Sequence, residues 1–270
     1  MTAKTTRSMK SIPFIKMQGL GNDYVYIDCF RQQISSPSDL ARQISNRHYG
    51  IGSDGLVLIL PSDKADIRMR MFNADGSEAQ MCGNAARCVG KYAYEHGIVN
   101  KTTLTLETLA GIKQLQLHLN SDDVETITVN MGKPIFGMEI SFENHILNCI
   151  NIGNPHAVIF TDNLDNINLH QLGPTIENLP CFSEKVNVEI ANVQNNRDIK
   201  VLVWERGTGE TQACGTGACA VAVAAFKKKL AIPPMNIHLK GGTLIIDITP
   251  QGEILMTGPA KEVFTGNITI

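Results

Sequence analysis

The chain has 270 residues, 43% of them apolar and 19% charged, an ordinary balance for a soluble globular protein of one large domain or two modest ones. With 24 basic and 26 acidic side chains the net charge is −2, so no strong positive field draws in nucleic acid or anionic lipid. The longest apolar run, Ala218 to Phe226, is far short of the roughly 20 residues that cross a bilayer, and no apolar segment follows the polar stretch Met1 to Ser11, so secretion is not expected.

Along the chain, the apolar period marks the elements. Tyr24 to Ile27 alternates after the Leu20-Gly21-Asn22 turn and reads as a strand. Asn84 to His96 reads as a helix stopped by Gly97. Leu104/Leu106 and Leu115/Leu117/Leu119 alternate about Ala110-Gly111 as a hairpin of half-buried strands. Ala157 to Phe160 and Val201/Val203 repeat the strand pattern further on. Thr216 to Leu230 reads as a second helix ending before Pro233-Pro234, with Lys227, Lys228 and Lys229 in its last turns. Its stretch Ala218 to Phe226 is apolar on nearly every face, which places it inside a domain. Ile237 to Ile248, around Gly241-Gly242, is a second hairpin.

Several of these segments repeat. Glu78-Ala-Gln-Met-Cys82-Gly83-Asn84-Ala-Ala86 and Glu210-Thr-Gln-Ala-Cys214-Gly215-Thr216-Gly-Ala218 share E-x-Q-x-C-G-[NT]-x-A, and the two cysteines are 132 residues apart. At the same offset Leu20-Gly21-Asn22 falls on Ile152-Gly153-Asn154 and Phe72-Asn73 on Trp204-Glu205. Matches in one order at one spacing point to a duplication. The expected fold is α/β (α+β): two pseudo-symmetric domains, each a curved, mostly antiparallel sheet wrapped around a central helix. The boundary is expected at Ser121-Asp122-Asp123, giving 1–122 with Cys82 and 123–262 with Cys214.

Seven dispersed cysteines form no disulfide framework and suit a reducing cytosol. Cys29, Cys88, Cys149, Cys181 and Cys219 read as packing. Cys82 and Cys214 each stand where the chain turns into a helix, where unpaired amides and the helix dipole are expected to lower a thiol pKa toward neutrality. Gly83 and Gly215 let backbone approach a ligand, and the amides after them form an anion seat. One thiol per half supplies two opposed acid/base groups, suited to inverting a centre beside a carboxylate, with the amides stabilising the charge that develops. This scheme needs no cofactor, and the sequence carries neither a P-loop nor a dinucleotide fingerprint. A zinc site from Cys82, Cys88, Cys214 and Cys219 is the weaker alternative, because spacings of six and five put the thiols of each half on different helix faces.

The stretch Asn73-Ala-Asp75-Gly76-Ser-Glu78-Ala-Gln-Met-Cys82-Gly83-Asn84-Ala-Ala-Arg87 resembles the first cysteine signature of the diaminopimelate epimerases. Gly21-Asn22-Asp23-Tyr24, Gly52-Ser-Asp54-Gly55, Gly153-Asn154-Pro155-His156, Val186-Asn187 and the run from Glu205-Arg206 to Cys214-Gly215-Thr216-Gly217 follow in the family's order, from about Phe14 to the C-terminus. The resemblance implies cofactor-independent interconversion of LL- and meso-2,6-diaminopimelate in lysine and peptidoglycan precursor synthesis. It also implies a cytoplasmic homodimer with no metal, no nucleic acid and no membrane among its partners.

By resemblance, Cys82 and Cys214 are the acid/base pair, and His156 and Glu205 help deprotonate them. Gly83, Asn84, Gly215 and Thr216 seat the reacting carboxylate. Asn22, Asn73, Asn154, Asn187 and Arg206 hold the rest of the substrate, Arg206 taking the distal carboxylate and Glu205 also meeting the reacting ammonium. Some members carry Gln where this chain has Gly55, which removes one side-chain contact. The resemblance further implies that the last strand, about 263–270, returns to the first domain. The first nine or so residues extend beyond the family's usual start and are expected to be disordered or a small local addition. The alternatives are a racemase of the same fold acting on histidine, proline or hydroxyproline, or a thiol redox or zinc-binding protein.

Overall fold

A computed structural model describes residues 11–269, so the expectation for the first nine residues, and Ile270, lie outside the described residues. The first half runs β1 (Ser11–Gly19), β2 (Asn22–Asp28), α1 (Pro37–Ser45), β3 (Gly55–Leu60), β4 (Ile67–Asn73), β5 (Glu78–Ala79), α2 (Gly83–Glu95), β6 (Thr103–Thr108), β7 (Gly111–Asn120) and β8 (Asp123–Gly132). After β9 (Ile135–Phe142) the second half runs β10 (His145–Asn151), β11 (Pro155–Phe160), α3 (Leu169–Glu177), β12 (Asn187–Val193), β13 (Asp198–Glu205), β14 (Gly209–Glu210), α4 (Gly215–Lys227), β15 (Met235–Leu239), β16 (Gly242–Ile248) and β17 (Ile254–Gly258). The last element is β18 (Lys261–Thr269).

The 132-residue offset maps α1 onto α3 and α2 onto α4 without slippage. It also carries over the pairing. The parallel pairs β2–β3 and β4–β6 recur as β11–β12 and β13–β15, within sheets that are otherwise antiparallel. β18 pairs with β1 along its length and β9 pairs with β10, so each half gains a strand from the end of the other. β17 pairs with β8, joining the two sheets edge to edge. The expected boundary near Asp122 falls in the turn between β7 and β8, which pair with each other.

Burial explains the central helices. α4 is buried from Ala218 to Ala225, and small side chains let the sheet close around it on all sides. Both central helices pack into one apolar cluster that spans the two halves. Each stops one residue or more before the sequence suggests. Gly97 takes φ +71° after α2, and Lys229 takes φ +59° two residues after α4, so the lysine run turns out of the helix before the prolines. The outer faces of the sheets carry two further helices that the sequence reading left out. α1 covers Val25, Ile27, Leu56 and Leu58 with Leu40, Ala41 and Ile44. α3 covers Ala157, Ile159, Val188 and Ile190 with Leu169 and Ile176.

Candidate active site

The two central helices begin at the same place. Cys82 is the residue before α2 and Cys214 the residue before α4, both in extended backbone. The Met256 thioether lies between the two helix starts. A Cβ built on Gly83 would collide with its methyl group, and one on Gly215 would sit 3.0 Å from its sulfur and 3.7 Å from Asn84 Oδ1. Only glycine permits that approach, so both cysteines and both sets of first-turn amides are brought to one locus between the halves. Gly21 packs against Gln212 across the halves nearby. Cys214 is 5% exposed and Cys82 half-buried.

Around Cys82 the partners come from the first half. Its Sγ donates to Asn22 Oδ1 at 3.5 Å, and Asn84 Nδ2 donates to the same oxygen at 3.3 Å. Asn22 Nδ2 donates in turn to Asp54 Oδ2 at 2.8 Å. Arg87, fully buried, fixes Asn84 by donating to its Oδ1 at 2.8 Å, and reaches the Pro259 carbonyl at 3.1 Å in the second half. Burial pushes the Asp54 carboxyl up, while Lys16 and Arg47 hold Asp23 below the usual carboxylate range against its own burial.

Around Cys214, Gly217 N–H donates to Sγ at 3.4 Å, and Thr216 Oγ1 stands at the same distance. The thiol faces Glu205, whose Oε1 accepts from Thr211 Oγ1 at 2.6 Å. Burial raises the Glu205 carboxyl above its ordinary value, and Glu189 adds to the rise. The Glu205 carboxylate also acts electrostatically on Cys82, raising both thiols.

The sequence expectation of lowered thiol pKa values is overturned. The Asn84 and Ala85 amides and Arg87 pull Cys82 down, and Thr216 and Gly217 pull Cys214 down, but burial outweighs them. Cys82 stays above the ordinary thiol value, and Cys214 is raised well above it, with Glu205 and Glu189 opposing a thiolate there. Both are thiols at neutral pH.

His156, at the start of β11, is buried, its Nδ1 2.7 Å from Glu189 Oε1 and its Nε2 3.0 Å from Asn154 Oδ1. Asn187 stands beside it in register on β12, and its Oδ1 accepts the Arg206 backbone N–H at 2.9 Å. The Arg206 side chain donates through Nη1 to the Glu184 carbonyl at 2.7 Å, and the rest of its fork has no hydrogen bond among the described residues. Asn73, opposite Gly55 in register, donates through Nδ2 to Ser77 Oγ at 3.0 Å inside its own turn. At Gly55 a Cβ would strike the Phe72 carbonyl oxygen and come within 2.9 Å of the Tyr24 ring, so the backbone leaves no room for a glutamine there.

Tyr24, Arg87 and Thr211 lie inside the motifs quoted from the sequence without a role assigned to them, and Glu189 and Met256 lie outside those motifs. Of these two, Glu189 has a visible signal, a carboxylate inside the otherwise apolar stretch Val188 to Ala191.

Comparison with known proteins sets this geometry among relatives. The diaminopimelate epimerase family model matches residues 14–137 and 148–263. Curated relatives named diaminopimelate epimerase include one from Bacteroides thetaiotaomicron, 49% identical over 264 residues, which covers 95% of this chain and 98% of the relative. One from Acetivibrio thermocellus is 45% identical over 275 residues, with the same two coverages. Among solved structures, a phenazine biosynthesis protein of the PhzF family from Bacillus anthracis superposes with TM-score 0.76 at 18% identity, covering 97% of this chain and all of the other. A hydroxyproline epimerase from Agrobacterium vitis superposes with TM-score 0.71 at 14% identity, covering 98% and 93%. These two share the fold.

Proposed function

The chain belongs to the diaminopimelate epimerase family, and from that premise we propose that it interconverts LL- and meso-2,6-diaminopimelate with Cys82 and Cys214 as the acid/base pair. The observation that carries this reading is the meeting of two helix starts, each preceded by a cysteine, on either side of Met256.

The reacting carboxylate lies between the helix ends, on the amides of Gly83, Asn84, Gly215 and Thr216. Glu205 takes a proton from Cys214 and meets the substrate ammonium, whose charge offsets the carboxylate that opposes the thiolate. The thiolate then removes the α-proton, and the C–H electron pair moves toward the carboxylate, where the amides hold the new charge. Cys82 delivers its proton to the opposite face, which inverts the centre and leaves its own sulfur as the thiolate. The reverse reaction exchanges the roles, so the two thiols titrate as a pair.

Arg206 takes the distal carboxylate through the free part of its fork, with Asn187 and Asn154 around the second amino-acid head. Asn22, tied to Cys82 through its Oδ1, orients that thiol, and Asn73 would have to release Ser77 to reach the substrate. The halves part to admit substrate and close to exclude water, since Cys214 is nearly inaccessible as it stands. The reading extends to a role in lysine and peptidoglycan precursor synthesis, in the cytoplasm, as a homodimer that works without pyridoxal phosphate.

The test is to incubate the reduced protein with LL-diaminopimelate and no added cofactor, and follow the meso isomer. Turnover that is lost on thiol alkylation supports the reading. Activity on proline, hydroxyproline or histidine instead would keep the two-thiol chemistry and move the substrate. Sedimentation of the same sample tests the homodimer.

A further inference from the structure

β12 places its odd-numbered side chains on the face toward α4, where Ala191 joins the shared core, and its even-numbered ones under α3. Glu189 therefore puts a carboxylate into an apolar layer, fully buried, at a position that packing alone would fill with a hydrocarbon. A buried carboxylate persists only where it is paired, because leaving water costs it several kcal/mol. Among the described residues the hydrogen-bond partner of Glu189 is His156: Oε1 takes Nδ1 at 2.7 Å with both side chains wholly buried, and Oε2 has none.

The first turn of α4 is shaped around this carboxylate. A Cβ on Gly217 would overlap Oε1 and lie 3.0 Å from Cδ, so glycine at that position lets the carboxylate lie against the positive end of the helix. The same turn carries the Gly217 amide that holds Cys214 Sγ. The titratable groups facing the pair are Glu205 from β13 and Cys214 from the start of α4.

We infer that Glu189 is a positioning residue for the reaction, fixing the ring orientation and tautomer of His156 through Nδ1–H and holding the first turn of α4 at the spacing that Cys214 requires. With Nδ1 committed as donor, Nε2 is the nitrogen left to exchange protons, and in the neutral ring it accepts from the Asn154 amide, whose Nδ2 then takes the position 3.0 Å away. A proton taken up at Nε2 makes an imidazolium whose charge the Glu189 carboxylate balances. The inference rests on the two-thiol reading of the site, in which His156 assists proton movement.

The experiment is Glu189→Gln, an amide of the same shape, compared with wild type by steady-state kinetics and by 15N spectra of the histidine ring, the His156 signals being assigned by their loss in His156→Asn. The wild-type ring is expected to carry its proton on Nδ1. In Glu189→Gln the tautomer becomes mixed, and kcat falls by about tenfold or more, a fraction of what general acid–base catalysis contributes, with KM changed by less than about twofold. If Glu189→Gln does not fold, Gly217→Ala, which displaces the carboxylate without removing it, is expected to change the ring spectrum in the same direction. An unchanged ring spectrum, or kcat within twofold of wild type in a folded variant, overturns the inference. A wild-type protein inactive on diaminopimelate would refute the proposed reaction, and the ring spectra would still decide whether Glu189 sets the tautomer.

Discussion

Met256 offers the sharpest test of how the site is built. It is fully buried on β17, its sulfur and methyl group separate Gly83 from Gly215, and Arg87 Nη1 lies 3.9 Å from the sulfur. Met256→Ala removes three heavy atoms from a place walled by helix backbone, with Met131 the nearest flexible side chain at Gly83. Such truncations cost about 2–5 kcal/mol, with the larger losses where the site cannot collapse. We expect about 3–4 kcal/mol here, read from urea unfolding. The same gap admits water between the two amide sets and lets the helix ends shift; since misplacement by an ångström costs up to about 100-fold, kcat should fall by at least about tenfold. Met256→Leu keeps most of the volume and should lose less than about 1.5 kcal/mol. A Met256→Ala protein within 1 kcal/mol of wild type by urea, with kcat within twofold, would show that the thioether does not set the spacing of the helices.

Cys82→Ala and Cys214→Ala should each abolish epimerisation while the melting curve stays near wild type; full activity in either would end the two-thiol scheme. Arg206→Ala should raise KM for diaminopimelate by about 10- to 100-fold, the value of a charged hydrogen-bond pair, while Arg68→Ala, at a half-buried arginine facing Glu107, leaves it unchanged; equal losses would remove Arg206 from the distal carboxylate. Gly55→Gln should destabilise by about 1–3 kcal/mol through overpacking against Phe72 and Tyr24, and a neutral or stabilising effect in urea would contradict the crowding seen there. Stability should also fall in alkali. Burial pushes the Cys88 thiol up to about 11 and Cys219 to about 12. Below the unfolded thiol value of about 8.5 both states hold these protons; above it only the folded state does, so stability drops as pH rises from about 9 to 12, by on the order of 3 kcal/mol for Cys88. A flat unfolding free energy across that range would contradict the burial of these thiols.

The repeat made the central half of the fold readable. α2 and α4 announce themselves by a glycine start and long apolar faces, and the hairpins β6–β7 and β15–β16 by alternation. α1 and α3 did not, for physical reasons. Each has nine residues, so only two or three core positions recur, and α3 carries Pro174 in its interior. α1 also starts without a side-chain cap, Ser36 making no capping bond. Neither segment is persuasive alone, but the 132-residue offset superposes them, and two weak amphipathic signals at equivalent places would have supported each other. The crossed strands β9 and β18 keep the repeat, β18 on β1 and β9 on β10, but each leaves its own half to pair in the other, a contact that no local pattern encodes.

The site divides in the same way, between what residue types announce and what only burial decides. Two Cys-Gly helix starts give the chemistry, but the dipole argument drawn from them predicts the wrong sign for both thiols. First-turn amides act over one turn, whereas removal from water acts on the whole charge, and here the second is larger. The raised values suit a reaction that needs one thiol and one thiolate in alternation. Two thiols with strongly lowered pKa values would both ionise in the closed site, leaving no acid to complete the inversion. In the proposed scheme both start as thiols and a single proton has to leave, and Glu205, itself raised and set against Cys214, is the group proposed to take it. In the proposed reaction the substrate ammonium adds positive charge beside Glu205, so the thiolate forms when substrate is present to use it.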